Sequence, residues 1–183
     1  MHFATGQTIV HPHHGPATIR AITHRTVRSV DRSYLVLDVE NSNLTISVPV
    51  DNAGLVGLRD MLSSAEIEAL FDVLRDADAV EETRWSRRIK ENREKLSSGD
   101  ILNGAAVVRD LSRRMTGKGL SPAEKEMLRD AKRPLLTEVA LALGISTDEA
   151  NAVLDSVLTA DSAKPNQQLL REIQAGAQQS LAS

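Results

Sequence analysis

An α+β fold is what this 183-residue sequence predicts, with a small N-terminal antiparallel barrel followed by a compact all-α C-terminal domain. Three observations predict it. Residues 7–50 hold short β-branched segments separated by Gly, Pro, Asp, Asn and Ser clusters, which is how strands joined by turns read. Beyond Pro49 the apolar residues recur at helical spacing instead. Two Ser-x-x-Glu boxes, at Ser121 and Ser146, mark helix starts.

Taken in order, the strands fall at 8–10, 17–23, 34–40 and 44–48. Alternation is clearest in the last, where Leu44, Ile46 and Val48 share a face. Four or five short strands in so few residues must curl to cover their edges. Phe3 and Tyr34 are the aromatics here, so the core has to be aliphatic. Ser63/Ser64 with Glu66 or Glu68 then opens a helix with an apolar stripe of Ile67, Leu70, Phe71 and Leu74.

The acidic run DADAVEE, residues 76–82, reads as the connector between domains: 1–75 for the barrel and its following helix, 83–160 for the helical domain. Thr83 is the expected cap of a basic helix reaching about Ser97. The next helix spans about 100–115, with Leu102, Val107, Val108 and Leu111 inward, and stops near Gly117/Gly119. Ser121-Pro122-Ala123-Glu124 starts a helix that runs to Leu143 and ends at Gly144. Pro134 lies inside it and predicts a kink or break. A last helix runs from the Ser146 box to about Thr159. Residues 161–183 are polar, with one weak helix expected around 168–174 in an otherwise mobile tail.

The net charge of −3 and pI near 6.0 argue against a generally DNA-coating protein. The average hides an asymmetry: residues 83–134 hold 14 Lys+Arg against 7 Asp+Glu, while the rest of the chain holds 8 against 18. Such a localised basic block is the footprint of a polyanion meeting one face. The absence of cysteine excludes a disulfide framework and cysteine catalysis, and fits a reducing compartment. Neither a signal-peptide pattern nor a membrane-length apolar run is present, so a cytoplasmic protein is expected.

The segment EETRWSRRIKENREK, 81–95, concentrates the chemistry. It holds the only tryptophan, Trp85, among Arg84, Arg87, Arg88, Lys90, Arg93 and Lys95. Trp85, Arg88 and Ile89 share a helix face. Cations on a rigid support suit phosphates, and a large ring among them can push into a base stack. A tryptophan packed into an interface is the competing reading. His11-Pro12-His13-His14-Gly15 invites a metal, but no further ligand pattern accompanies it, and a turn at the barrel mouth explains it. No metal or other cofactor is expected. Segment 139–154 has the outline of a helix-turn-helix, yet its second helix carries Asp148, Glu149 and Asp155 and no cation, which would repel phosphates. With no nucleotide-binding loop or nucleophile motif, an enzyme is not expected.

Several motifs occur together in order: GQTIVHPHHG, YLVLDV, LTISVP, DNAGLVGLRD, TRWSRRIKENREKL and GLSPAEKEML. From Phe3 to about Ala160 the chain resembles the CarD/CdnL regulators, which bind bacterial RNA polymerase. The resemblance implies a Tudor/SH3-like β-barrel that docks on the polymerase β subunit, and a helical domain that touches promoter DNA without reading sequence. It assigns polymerase binding to Arg25, followed by Thr26 and Val27. A second family arginine is replaced by Ser47, for which Arg20, Arg28 or Arg32 are candidate substitutes. DNA contact is assigned to Trp85, Arg87, Arg88 and Lys90, with Arg114 and Lys125 extending the patch. The implied action is stabilisation of the open promoter complex by a monomer, through Trp85 in the minor groove at the upstream edge of the bubble. The alternative is an interaction module on polymerase without productive DNA contact.

Overall fold

A computed structural model describes residues 2–27, 30–40, 42–79 and 82–159. The expectations for the tail beyond Thr159, and for Arg28, lie outside these residues. The chain divides into two compact units, Met1–Met61 and Leu62–Ser183.

The first unit is a five-stranded antiparallel sheet. Its strands are β1 (Thr8–His11), β2 (Gly15–Val27), β3 (Val30–Val39), β4 (Thr45–Pro49) and β5 (Arg59–Asp60), in spatial order β4-β3-β2-β1-β5. A short helix α1 (Ala53–Val56) follows β4 through a 3-10 turn. The core is aliphatic as expected: Ile9, Ala17, Ile19, Leu35, Leu37, Val39, Val48, Ala53 and Leu58 are buried together.

β2 and β3 are much longer than their apolar segments predicted. They pair from Ala17↔Val39 out to Val27↔Val30, with one irregularity between Ile19 and Ala21. The polar stretch 24–33 reads as a loop by composition. Its described parts, 24–27 and 30–33, stay in strand because cross-strand side-chain pairs replace core burial there: Thr26 Oγ1 donates to Asp31 Oδ1 at 2.6 Å, and Ser33 Oγ lies 3.0 Å from His24 Nδ1.

The second unit is helical: α2 (Ser64–Arg75), α3 (Trp85–Ser97), α4 (Ile101–Gly117), α5 (Pro122–Leu143) and α6 (Thr147–Thr159). Ile67, Leu70, Phe71 and Leu74 of α2 lie in one core with Val107, Val108, Leu111, Leu135, Val139, Leu154 and Val157. α2 therefore packs with α4 and α6, and the division falls at Met61/Leu62, ahead of the acidic connector. Composition marked a change of charge there, while packing decides what folds together. Arg109 and Arg113 reinforce the arrangement by donating to carbonyls at the end of α2, those of Val73 at 3.0 Å, Asp76 at 2.6 Å and Arg75 at 3.1 Å. Carbonyls at a helix end lack intrahelical partners, so such donors satisfy them.

The serine boxes behave as read. The side chains of Ser63, Ser121 and Ser146 each accept the backbone N–H three residues on, and each serine donates its own backbone N–H to the carboxylate of that glutamate. Gly144, at φ 68°, ends α5 in the left-handed conformation that suits glycine. Three expectations are corrected. Thr83 does not cap the basic helix: Arg84 occupies that position, without a side-chain bond to the helix. Leu102 is 37% exposed, not inward. The break at Pro134 does not occur, because α5 runs through it unbroken. Proline in a helix interior costs about 3 kcal/mol, but Pro134 is exposed while Ala131, Leu135 and Val139 on either side are buried.

Candidate nucleic-acid interface

Trp85 is the first residue of α3 and is 53% exposed, unusual for the largest apolar side chain. Its indole is not loose. Nε1–H donates to Ser121 Oγ at 3.3 Å, at the N-cap of α5. The ring thus presents apolar surface outward while its one donor is satisfied.

Arg88, one turn along, has the opposite fate. It was expected among the cations facing DNA, but it is 3% exposed. Its Nε–H and Nη2–H donate to Glu124 Oε1 at 2.9 and 2.6 Å, and Nη1–H donates to the carbonyls of Glu82 at 2.8 Å and Thr83 at 3.3 Å. Trp85 and Arg88 share a face, and that face turns toward α5, leaving the ring at its rim. Arg88 therefore cannot be counted among outward charges. Burial alone would raise the Glu124 pKa. The N–H and O–H of Ser121 and the Arg88 guanidinium outweigh it and hold the carboxyl below its usual range. Arg114 belongs to the same cluster, 3.6 Å from Glu124, with a side chain only 18% exposed.

Other cations of the basic block are shared out among carboxylates. Arg109 pairs with Asp110 and Asp76, Lys95 with Asp110 and Lys132 with Asp155. On the outer face of α3, Arg87 meets Glu91 at 2.8 Å and Glu82 at 3.1 Å, and Lys90 lies 3.8 Å from Glu94. These are exposed pairs, which phosphates can compete for, because such pairs are worth little in water. Arg84, Arg93 and Lys125 are exposed. The outward positive surface is thus narrower than the residue count suggested; it includes Arg84 and Arg87, beside Trp85 in the sequence, and Lys125, four residues after the Ser121 that accepts from the indole.

In the sheet unit, Arg25 and Thr26 are exposed near the far end of β2, and Val27 is the last residue of that strand. Arg25 Cζ stands 5.6 Å from the Tyr34 ring centroid, within reach of a cation–π attraction. The register pairs Arg25 with Arg32 and Val36 with Ser47, which puts Arg25, Arg32, Tyr34 and Ser47 on the face opposite Leu35 and Leu37. Arg32 therefore shares the face on which Ser47 stands. Arg20 is engaged by Asp38 at 3.5 Å.

The histidine cluster is a packed turn. His11 is buried and its Nδ1 accepts the His13 N–H at 3.1 Å. Burial, then the nearby His14 and His13, lower its pKa. Among the described residues no three metal-ligating groups converge. What the sequence did not offer was the role of Ser121 and Glu124. Their box was visible, but nothing local says that the starts of α3 and α5 meet.

Comparison with known proteins adds two family matches and a relative. Residues 3–62 match the CarD-like/TRCF RID domain, and residues 69–155 match the CarD C-terminal domain. YdeB of Bacillus subtilis (strain 168), a candidate transcription factor, is 30% identical over 144 residues, covering 79% of this chain and 94% of the relative.

Proposed function

Because the chain belongs to the CarD-like family and so to transcription regulators rather than enzymes, we propose that it docks on the RNA polymerase β subunit and stabilises the open promoter complex by inserting Trp85 into the minor groove. The sheet face bearing Arg25 and Arg32 supplies the dock, and the start of α3 meets the upstream edge of the bubble. The observation that carries this reading is the half-exposed indole of Trp85 in a segment whose Arg84, Arg87 and Lys90 are exposed. Among the described residues no helix is long and apolar enough to cross a membrane, and the protein works beside polymerase in the cytoplasm.

The mechanism is differential affinity. Docking raises the effective concentration of the helical unit at DNA, so weak contacts suffice. Inserting a ring between paired, stacked bases costs a few kcal/mol. At strands already parted that cost has been met, so the ring binds the melted state better, and only such a preference shifts the equilibrium. A preference of about 1.4 kcal/mol raises the open:closed ratio roughly tenfold. At saturating protein, Trp85→Ala should remove most of the gain in open-complex lifetime. An unchanged lifetime would reject the wedge and favour an interaction module without DNA contact.

A further inference from the structure

The exposed ring is tied to α5 by a closed circuit of hydrogen bonds. Trp85 Nε1–H donates to Ser121 Oγ at 3.3 Å. Ser121 Oγ–H and Ser121 N–H both donate to Glu124 Oε2, at 2.7 and 2.9 Å. Arg88 closes the circuit through Glu124 Oε1, and it stands three residues after Trp85 on α3. Two residues three apart on one helix thus face two residues three apart on another. The donor assignments are forced: an indole N–H and a guanidinium can only donate, and a carboxylate can only accept. The serine hydroxyl gives its single hydrogen to Glu124, which leaves its lone pairs for the indole and for the Glu124 N–H at 3.3 Å.

Resting on the reading above, we propose that Ser121, Glu124 and Arg88 are positioning residues that fix the indole of Trp85 in one orientation before DNA arrives. An exposed side chain would otherwise exchange among staggered rotamers, and binding would have to order it. Pre-ordering removes that cost, which is how rigidity raises affinity. Arg88 also determines where α3 starts. The helix has no side-chain N-cap bond, and Arg88 Nη1 instead gathers the carbonyls of Glu82 and Thr83 just ahead of it. The direction in which Trp85 leaves the backbone follows from that start. A planar fork is needed to serve a carboxylate and two carbonyls at once, which a lysine ammonium on a flexible stem does not reproduce.

Trp85 is the only tryptophan, so its fluorescence anisotropy decay in the full chain reads this ring alone. Ser121→Ala removes the indole's acceptor and also the α5 cap. Ser146→Ala removes an equivalent box from α6, where Ser146 and Glu149 make the same bonds, and so controls for cap loss. Ser121→Ala should add fast local depolarisation and cut the protein-dependent gain in open-complex lifetime by about 2–10-fold, the scale of one ordered side chain. Ser121→Thr should restore both readouts, and Ser146→Ala should leave both as in the wild type. Unchanged anisotropy in Ser121→Ala, or equal losses in Ser121→Ala and Ser146→Ala, would overturn the positioning role. Trp85→Ala run alongside separates the two levels. If it shortens the lifetime while Ser121→Ala does not, positioning alone fails. If it has no effect, the underlying reading fails and positioning for DNA fails with it.

Discussion

The far end of the β2–β3 pair and the start of α3 each carry an arginine and an aromatic residue on one face, and they treat the arginine in opposite ways. Arg25 lies exposed against Tyr34, placed by strand register and little else. Arg88 is buried, with every nitrogen of its guanidinium committed. The difference separates a residue left open to solvent from one placed to hold a neighbour. Charge and residue type do not distinguish them; burial does.

The comparison is broken most forcefully at the buried pair. Removing one partner leaves an uncompensated buried charge, which costs about 3–5 kcal/mol. Glu124→Ala should therefore lower the free energy of unfolding by about that much in urea titrations, whereas Arg25→Ala should stay within about 0.5 kcal/mol of the wild type. Equal, small effects would mean that the two arginines are not opposites. The inverse contrast should appear in binding. Arg25→Glu places an opposite charge before the same partner and should abolish capture of the polymerase β subunit in a pull-down while leaving the melting curve in place. Normal capture would move the dock to another surface.

Acid sharpens the contrast less drastically. The Glu124 pKa is held below the usual carboxylate range, so its stabilising contribution is present above about pH 4.3, the unperturbed value. It is lost as the pH falls through the lower folded value. Arg88 and Arg114, the cations beside it, then lose their counter-ion. Denaturation midpoints followed from pH 7 to pH 3 should fall below about pH 4, and Glu124→Gln should flatten that fall. An unaltered slope in the variant would show that another group carries it.

Much of this was legible in the sequence. The boxes at Ser121 and Ser146 appeared where they were read, Ser63 with Glu66 proved to be the pair formed among those left open at α2, and the stripe of Ile67, Leu70, Phe71 and Leu74 is buried. Local chemistry sufficed there, because a cap and a stripe depend on residues three or four apart. Arg88 was misread because its partner is 36 positions away on α5, and spacing along one helix says nothing of what faces it. The length of β2 and β3 was underestimated for the same reason: 24–27 and 30–33 are mostly polar, and their pairing is a property of two strands together. Pro134 was over-weighted, since its local penalty is opposed by packing on both sides.

The smallest expected effect concerns Lys125, exposed one position after Glu124. A lysine on a phosphate adds about one unit to the slope of log affinity against log salt. Lys125→Ala should lower DNA affinity of the full chain a few-fold at low salt and reduce that slope by about one. An unchanged slope would take Lys125 off the phosphate path.

The central claim is that the Trp85 ring occupies the upstream edge of the bubble while the sheet unit holds polymerase. Footprinting the upstream edge in polymerase–promoter complexes, with wild-type protein and with Trp85→Ala, tests it directly. The account predicts added protection and enhanced strand opening with the wild type, both lost in Trp85→Ala although the variant still co-purifies with polymerase. Identical footprints from the two proteins would contradict it.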